Sequence, residues 1–324
     1  MRGVLAVSCA LVLVLGGSLS FGWRVYGAPG PLVEPRDVIV PHGGLNAVSV
    51  ALAAQGVIRH PLLFRVAAFV TTAEGPLHAA ELHFPANASL AVVLQVLRFA
   101  RPVQHKVTFA EGLGAAQVAE TIARQGNLLS GDIAVPPEGA VLPETYVFER
   151  GTTVSTIIDR ARTSMTRAVA EMWPNREPGL AIQTPRDAVI LASIVEHEAR
   201  LPQERPMIAR VFLNRLSMGM RLQADPTVSY GVEGGLGILL RPIDRNDLAR
   251  EDLYNTYVVA GLPIGPICSP GLASLKAVLH PASGDALYFV ADGTGGHVFS
   301  ASLVQHDANV ARYRARERAG TSGR

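Results

Sequence analysis

Hydrophobic and polar positions along this chain change their spacing several times, and the changes mark out its elements. Val4 to Trp23 shows no period at all: VLAVSCALVLVLGGSLSFGW carries no charge and lies between Arg2 and Arg24. At about 1.5 Å per residue, a helix of that length just crosses a hydrocarbon core of roughly 30 Å. A membrane anchor covering residues 1–25 is therefore expected. A cleaved signal peptide is the alternative, because GGS and the YGA around Gly27 resemble small-residue cleavage sites. A Gly/Pro-rich linker, residues 26–35, follows. Beyond it, short apolar runs at Asp37–Val40 and Leu82–Phe84 predict strands. Helical spacing is found over Leu45–Gln55, closed by Gly56, over Pro61–Val70, and over Leu90–Arg101, which Ser89 caps. This alternation predicts a small α/β module over residues 36–106.

A second region, residues 107–318, opens on an expected strand at Val107–Ala110 and a helix over Ala115–Arg124. Residues 133–152 hold three prolines and read as a structured loop. Ser155–Met172 is amphipathic. Thr184-Pro185-Arg186-Asp187 is a strong helix start, with Thr as cap, Pro at the first helical position and Asp at the capping-box position. An arginine-rich helix comes next and ends in a polar loop. Leu287–Ala291 and His297–Ala301 flank Asp-Gly-Thr-Gly-Gly and predict a hairpin. A final helix over about Ser302–Arg318 leads into a basic tail, residues 319–324. The fold class expected is mixed α/β and α+β.

Charge and cysteine content narrow the possibilities. The formal net charge is +2, so the electrostatic footprint of a nucleic-acid-binding protein is missing. Cys9 lies in the apolar segment and Cys268 after a Gly-Pro-Ile turn, so no disulfide framework or metal-ligand spacing exists. His42, His60, His83, His105, His280 and His306 are scattered without ligand spacing. His197-Glu198 begins as a zinc-protease motif does, but position 201 is Leu, and no G-x-S-x-G elbow is present.

The richest chemistry lies in DAVILASIVEHEAR, residues 187–200. A carboxyl among Ala, Ile and Val is costly to ionise, which favours a proton donor. Glu196 and Glu198 lie about 200° apart on a helix, so they cannot face each other as a pair. Glu198 follows Ile194 and Val195 on the aliphatic stripe. Glu196 shares its face with Ala192, Ser193, Ala199 and Arg200, small neighbours that leave space for a substrate. The competing expectation is that both glutamates form salt bridges with Arg200, Arg205, Arg210 or Arg215. Past the two helices, Gln223, Asp225, Thr227, Tyr230, Asn255 and Tyr257 lie on Gly/Pro-rich turns. Aromatic and amide side chains so clustered suit a sugar-binding cleft, and ordinary turn chemistry explains them equally well.

The runs LASIVEHEA, VFLNRL, GMRLQADPTVSYG, LYNTYVVAGLPIGPICSPG, SLKAVLHPA and YFVADGTGGHVFSASLVQHD, in that order, resemble the YceG-like endolytic murein transglycosylases. The likeness covers about residues 105–315 and takes in Glu111-Gly112 and Leu142–Tyr146. Ile264, Ser269 and Glu144 depart from the family's usual residues. The resemblance implies a single-pass enzyme of the inner membrane with a LysM-like module and a larger α+β catalytic domain on the extracytoplasmic side. Its implied reaction cuts nascent peptidoglycan glycan strands and leaves 1,6-anhydro-N-acetylmuramic acid ends, with no metal or cofactor. It places the catalytic acid at Glu196. Glu198 is then expected to hold the helix pair by a salt bridge, and Asn214 and Arg215 to support it. Cell-wall synthases are the implied protein partners. A hydrolytic muramidase and a non-catalytic glycan-binding scaffold remain the rival expectations.

Overall fold

A computed structural model describes residues 20, 22–236, 239 and 241–321. The expected anchor lies largely outside the described residues; among those described, no helix is long and apolar enough to cross a membrane. The protein is mixed α+β and divides into two units. One is formed by the chain up to His105 together with Phe148–Arg150, the other by Lys106–Val147 and Gly151 onward.

In the N-terminal unit, β1 (Arg36–Ile39) pairs antiparallel with β2 (Glu81–Phe84), and Val38 stands opposite Leu82. Period-two alternation buries Val38, Leu82 and Phe84, while Asp37 and His83 meet on the exposed face at 2.7 Å. Between the strands come α1 (Leu45–Ala54) and α2 (Pro61–Val70), and after them α3 (Leu90–Phe99). The Ser89 hydroxyl caps α3 by accepting from the Val92 N–H at 3.3 Å. Leu52, Phe64, Leu94 and Leu97 close the core. Arg98 is buried beside it and tied to Thr71, Glu74 and Gly75.

A second ribbon joins β3 (Gln104–Thr108) to β4 (Thr145–Glu149). β4 lies where a prolyl loop was expected. The prolines stop at Pro143, and the T-Y-V-F-E run after them alternates exposed and buried residues, burying Tyr146 and Phe148. Upstream of β4 lies α4 (Ala115–Ala123).

The C-terminal unit is built on α6 (Pro185–Glu198), which follows α5 (Val154–Met172). The capping box forms as the sequence predicts: the Thr184 hydroxyl accepts from Asp187 N–H at 3.1 Å, and the Asp187 carboxylate accepts from Thr184 N–H at 2.9 Å. Every residue from Ile190 to Val195 is buried, because α7 (Arg205–Ser217) and α10 (Leu272–Leu279) cover α6 from different sides. Full burial of one Leu or Ile side chain stabilises by about 1.5–3 kcal/mol, and Leu191, Ile194, Ile208, Phe212, Leu275 and Val278 all belong to this cluster. The polar loop expected after α7 folds instead into α8 (Asp225–Val232), with Pro226 within its first turn, and α9 (Arg245–Ala249) follows. The expected hairpin is present as β5 (Tyr288–Ala291) and β6 (His297–Ser300), and α11 (Leu303–Thr321) packs on it.

Candidate active site

Helix α6 stops at Glu198 because Ala199 leaves helical geometry (φ −80°, ψ 96°) and Pro202 disfavours a helical Leu201. A 3-10 turn, Pro202–Glu204, then starts α7. The C-terminal end of α6 and the first residue of α7 therefore meet at one edge of the core. Glu196, Glu198 and Arg205 all stand there.

Glu196 is fully engaged. Its Oε1 accepts from Arg205 Nη2 at 2.9 Å and its Oε2 from the Gly271 N–H at 2.9 Å. Arg205 also lies 3.6 Å from Glu111 and donates to Ser274 Oγ at 3.1 Å. Gly271 is the N-cap of α10, so Glu196 sits where partial positive charge collects. A Cβ at Gly271 would collide with the Glu111 carboxylate, and Gly112, at φ +79°, passes close to Glu196 and His197. The Glu196 side chain is only 5% exposed. Both of its carboxyl oxygens are thus occupied by protein donors, and neither is left for a substrate.

Glu198 has the opposite environment. It is the last helical residue of α6 and lines an open cleft of about 670 Å³. Burial pushes its pKa up to about 8; the Asp225 charge adds to this, while Arg200 and Arg215 pull the other way. The negative end of the α6 dipole works in the same direction as burial. Among the described residues Glu198 makes no salt bridge, so the sequence expectation is reversed: Glu196 forms the bridge and Glu198 faces the cleft. The signal was present in the sequence, because Glu198 follows Ile194 and Val195 at helical spacing.

Asp225 and Tyr230 reach the cleft from α8, and Arg200, His297, Tyr313 and the glycine turn 293–296 line it too. Glu204 fixes His297 by accepting from its backbone N–H at 2.8 Å and pairing with Nδ1 at 2.7 Å. Burial, with the Glu138 charge, raises the Tyr230 pKa, and the Tyr230 hydroxyl donates to Glu138 at 3.0 Å. On its other side Glu198 borders a recess of about 280 Å³ lined also by Arg215, Gln223, Asp225, Tyr257 and His306. There the Tyr257 hydroxyl donates to Asp225 at 2.6 Å, and Gln223 adopts a left-handed backbone at φ +52°. Such a conformation is strained for a residue with a side chain.

The remaining two expected contacts do not reach the cleft. Thr227 is buried, donating to Ala224 O at 2.7 Å and meeting Thr256 Oγ1 at 2.9 Å. The Asn255 amide is buried and donates to the carbonyls of Asp247, Leu248 and Arg250. Both hold the loop that carries Tyr254 and Tyr257; neither presents a free polar atom to a substrate. Asn214 and Arg215, expected to support the helix pair, bond elsewhere: Asn214 donates to the Gly284 and Ala286 carbonyls, and Arg215 to those of Leu287 and Leu222, tying α7 to the segment before β5 and to the loop that follows α7. No group of three His, Cys, Asp or Glu side chains converges among the described residues. Sequence reasoning did not place Arg200, two residues past α6, or His297, Tyr313 and the glycine turn, about 95–115 residues beyond it, at the cleft; the turn was legible as a hairpin, but nothing local brings it to α6. The open cleft presents a half-buried Glu198 carboxyl, beside Asp225, to whatever it binds.

Comparison with known proteins gives a consistent match. Residues 38–312 fit the model of the YceG-like family. An endolytic murein transglycosylase of Bacillus subtilis is 27% identical over 341 residues, spanning 93% of this chain and 91% of its own. One from Streptococcus pneumoniae is 33% identical over 180 residues, which is 54% of this chain and 32% of that protein. The crystal structure of a YceG-like protein from Listeria monocytogenes superposes with a TM-score of 0.54 at 26% identity, covering 85% of this chain and 98% of that one.

Proposed function

The chain belongs to the YceG-like family, and from that premise we propose that it is an endolytic lytic transglycosylase of peptidoglycan with Glu198 as its acid. The reaction breaks the β-1,4 bond between N-acetylmuramic acid and N-acetylglucosamine inside a strand. Glu198, protonated, donates to the glycosidic oxygen as the bond to the anomeric carbon breaks. The muramic 6-hydroxyl then attacks that carbon and gives its proton to the Glu198 carboxylate, which returns the acid and closes the 1,6-anhydro ring. No water is consumed, so a second carboxylate to activate one is not required. Proton donation by a positioned group is worth about 10²–10⁴ in rate.

The observation that carries this reading is a carboxyl with a pKa raised to about 8 on the wall of an open cleft. Glu196, two residues away, is committed to Arg205 and Gly271. Glycan bound in the cleft would meet Tyr230, Arg200 and His297 among its lining residues. The order β1–α1–α2–β2 in the N-terminal unit supports a LysM-like module that holds glycan. The uncharged run Val4–Trp23 supports anchoring in the inner membrane, with the cleft on the wall side and cell-wall synthases as neighbours.

The test is product analysis on uncross-linked glycan with wild type, Glu198→Gln and Glu196→Gln. Anhydromuramic ends from wild type, and none from folded Glu198→Gln, are expected. Products heavier by one water, with reducing muramic ends, would make the protein a muramidase. Full activity in Glu198→Gln would return the acid to Glu196, which loss of activity in Glu196→Gln would establish, and a wild type that releases neither kind of end would leave the protein a scaffold.

A further inference from the structure

Helix α2 is apolar on two opposite sides. Phe64 and Ala68 turn into the core, and the face across from them carries Leu62, Val66, Phe69 and Val70 into solvent. At about 100° per residue these four fall within an arc of roughly 100°. Phe69 is 78% and Val70 74% exposed, and the other two are more than half exposed. Arg65 is the sole charge of the ten-residue helix, and it points sideways to Asn46 at 2.9 Å. A contiguous stripe of this kind on a soluble surface marks a contact surface.

Three further observations bear on what covers it. The chain that leaves the apolar run is tied to the base of this helix: Val25, Ala28 and Pro31 share a recess of about 270 Å³ with His60 and Leu63. The linker is also fixed in place, since Gly30 N–H donates to Asn87 O at 3.1 Å and Asn87 N–H to Leu32 O at 2.7 Å. A side chain at Gly30 would collide with the Ala88 carbonyl. Finally, Arg24 and Arg59, which flank these segments in the chain, are exposed, and the Trp23 and Tyr26 rings lie 6.4 Å apart between centroids, tilted by 45°. Aromatic rings with flanking arginines are the composition of a membrane–water interface.

We infer that the exposed face of α2 lies on the lipid bilayer, its four apolar side chains below the headgroups of an anionic leaflet and Arg24 and Arg59 among them. The inference rests on the anchor reading for Val4–Trp23. With the anchor inserted, docking is intramolecular, so a ten-residue face far too small to bind membranes by itself suffices. The consequence is orientation: the N-terminal unit is laid against the membrane and not swung from a loose tether.

The full chain, carrying Trp23→Phe to remove the interfacial tryptophan, is reconstituted into vesicles of mixed zwitterionic and anionic phospholipid with and without acyl-chain bromination. Phe69→Trp adds a reporter at a surface position, and the fluorescence it adds is expected to drop by about twofold or more in brominated vesicles. Equal added emission in the two lipids overturns the inference, whether the face is bare or covered by protein. Flotation after an alkaline wash reports the anchor separately. Vesicles that carry the chain without quenching reject only the α2 contact, and a chain that neither floats nor quenches rejects both.

Discussion

Glu196 and Glu198 stand two residues apart and differ in almost everything that governs a carboxyl group. Glu196 is held by Arg205 and the N-terminus of α10; Glu198 is governed first by burial, then by the Asp225 charge, against a weaker pull from Arg200 and Arg215. The pH dependence follows. Glu198 must be protonated to act, so kcat/KM on uncross-linked glycan is expected to stay level up to about pH 8 and then fall tenfold per pH unit. A fall on the acid side alone would exclude it as the acid. Stability has the same sign: a carboxyl whose folded pKa is raised stabilises the fold below its unfolded value and loses that contribution as pH rises towards 8. Glu198→Gln therefore gains Tm relative to wild type between pH 5 and pH 9, while losing turnover. Glu196→Gln behaves in reverse. It leaves Arg205 without its nearest anion, costs about 3 kcal/mol in denaturant unfolding, and reduces turnover less than Glu198→Gln does.

At the scale of elements, the C-terminal end of α6 is positioned by what clamps its middle. Ser193 is buried, donates to Ile190 O at 2.7 Å and accepts from the Ile267 N–H at 3.0 Å. That pair of bonds fastens the segment 264–271, whose Gly271 N–H holds Glu196. Ser193→Ala strands the Ile267 N–H in a dry site and is expected to cost about 1–3 kcal/mol. If the clamp matters to the site, crystals or amide exchange of this variant will show segment 264–271 loosened while the α6 cap at Thr184 is unchanged. That cap, the arginine-rich α7 and the β5–β6 hairpin were legible in sequence because each rests on contacts within a few residues. The strand β4 and helix α8 were not, since Pro143 and Pro226 read as loop formers until their neighbours' burial is known. Pro226 in fact sits in the first turn of α8, where a missing N–H costs nothing.

For the molecule as a whole, the two units carry separate cores, so damage to one should leave the other intact. Arg98, buried in the N-terminal unit, donates to Thr71 O and Gly75 O and pairs with Glu74 at 2.8 Å. Arg98→Met leaves those carbonyls unpaired and is expected to cost about 3 kcal/mol. Hydrogen exchange should then quicken in α3 and β2 while α6 and α10 keep their protection; uniform acceleration would mean one cooperative unit. By itself the sequence determined the mixed α+β class, most helix boundaries, the hairpin and the six ordered motifs, because periodicity, caps and turn residues act over a few positions. It also singled out the turn of α6 that carries Glu196 and Glu198, choosing Glu196 as the acid. Which of two glutamates faces the cleft, and that Thr227 and Asn255 turn inward, only the tertiary structure decided. Those outcomes depend on Arg205, Gly271, Asp225 and Asp247, groups brought to the site from other elements, and charge and burial are summed over space and not along the chain.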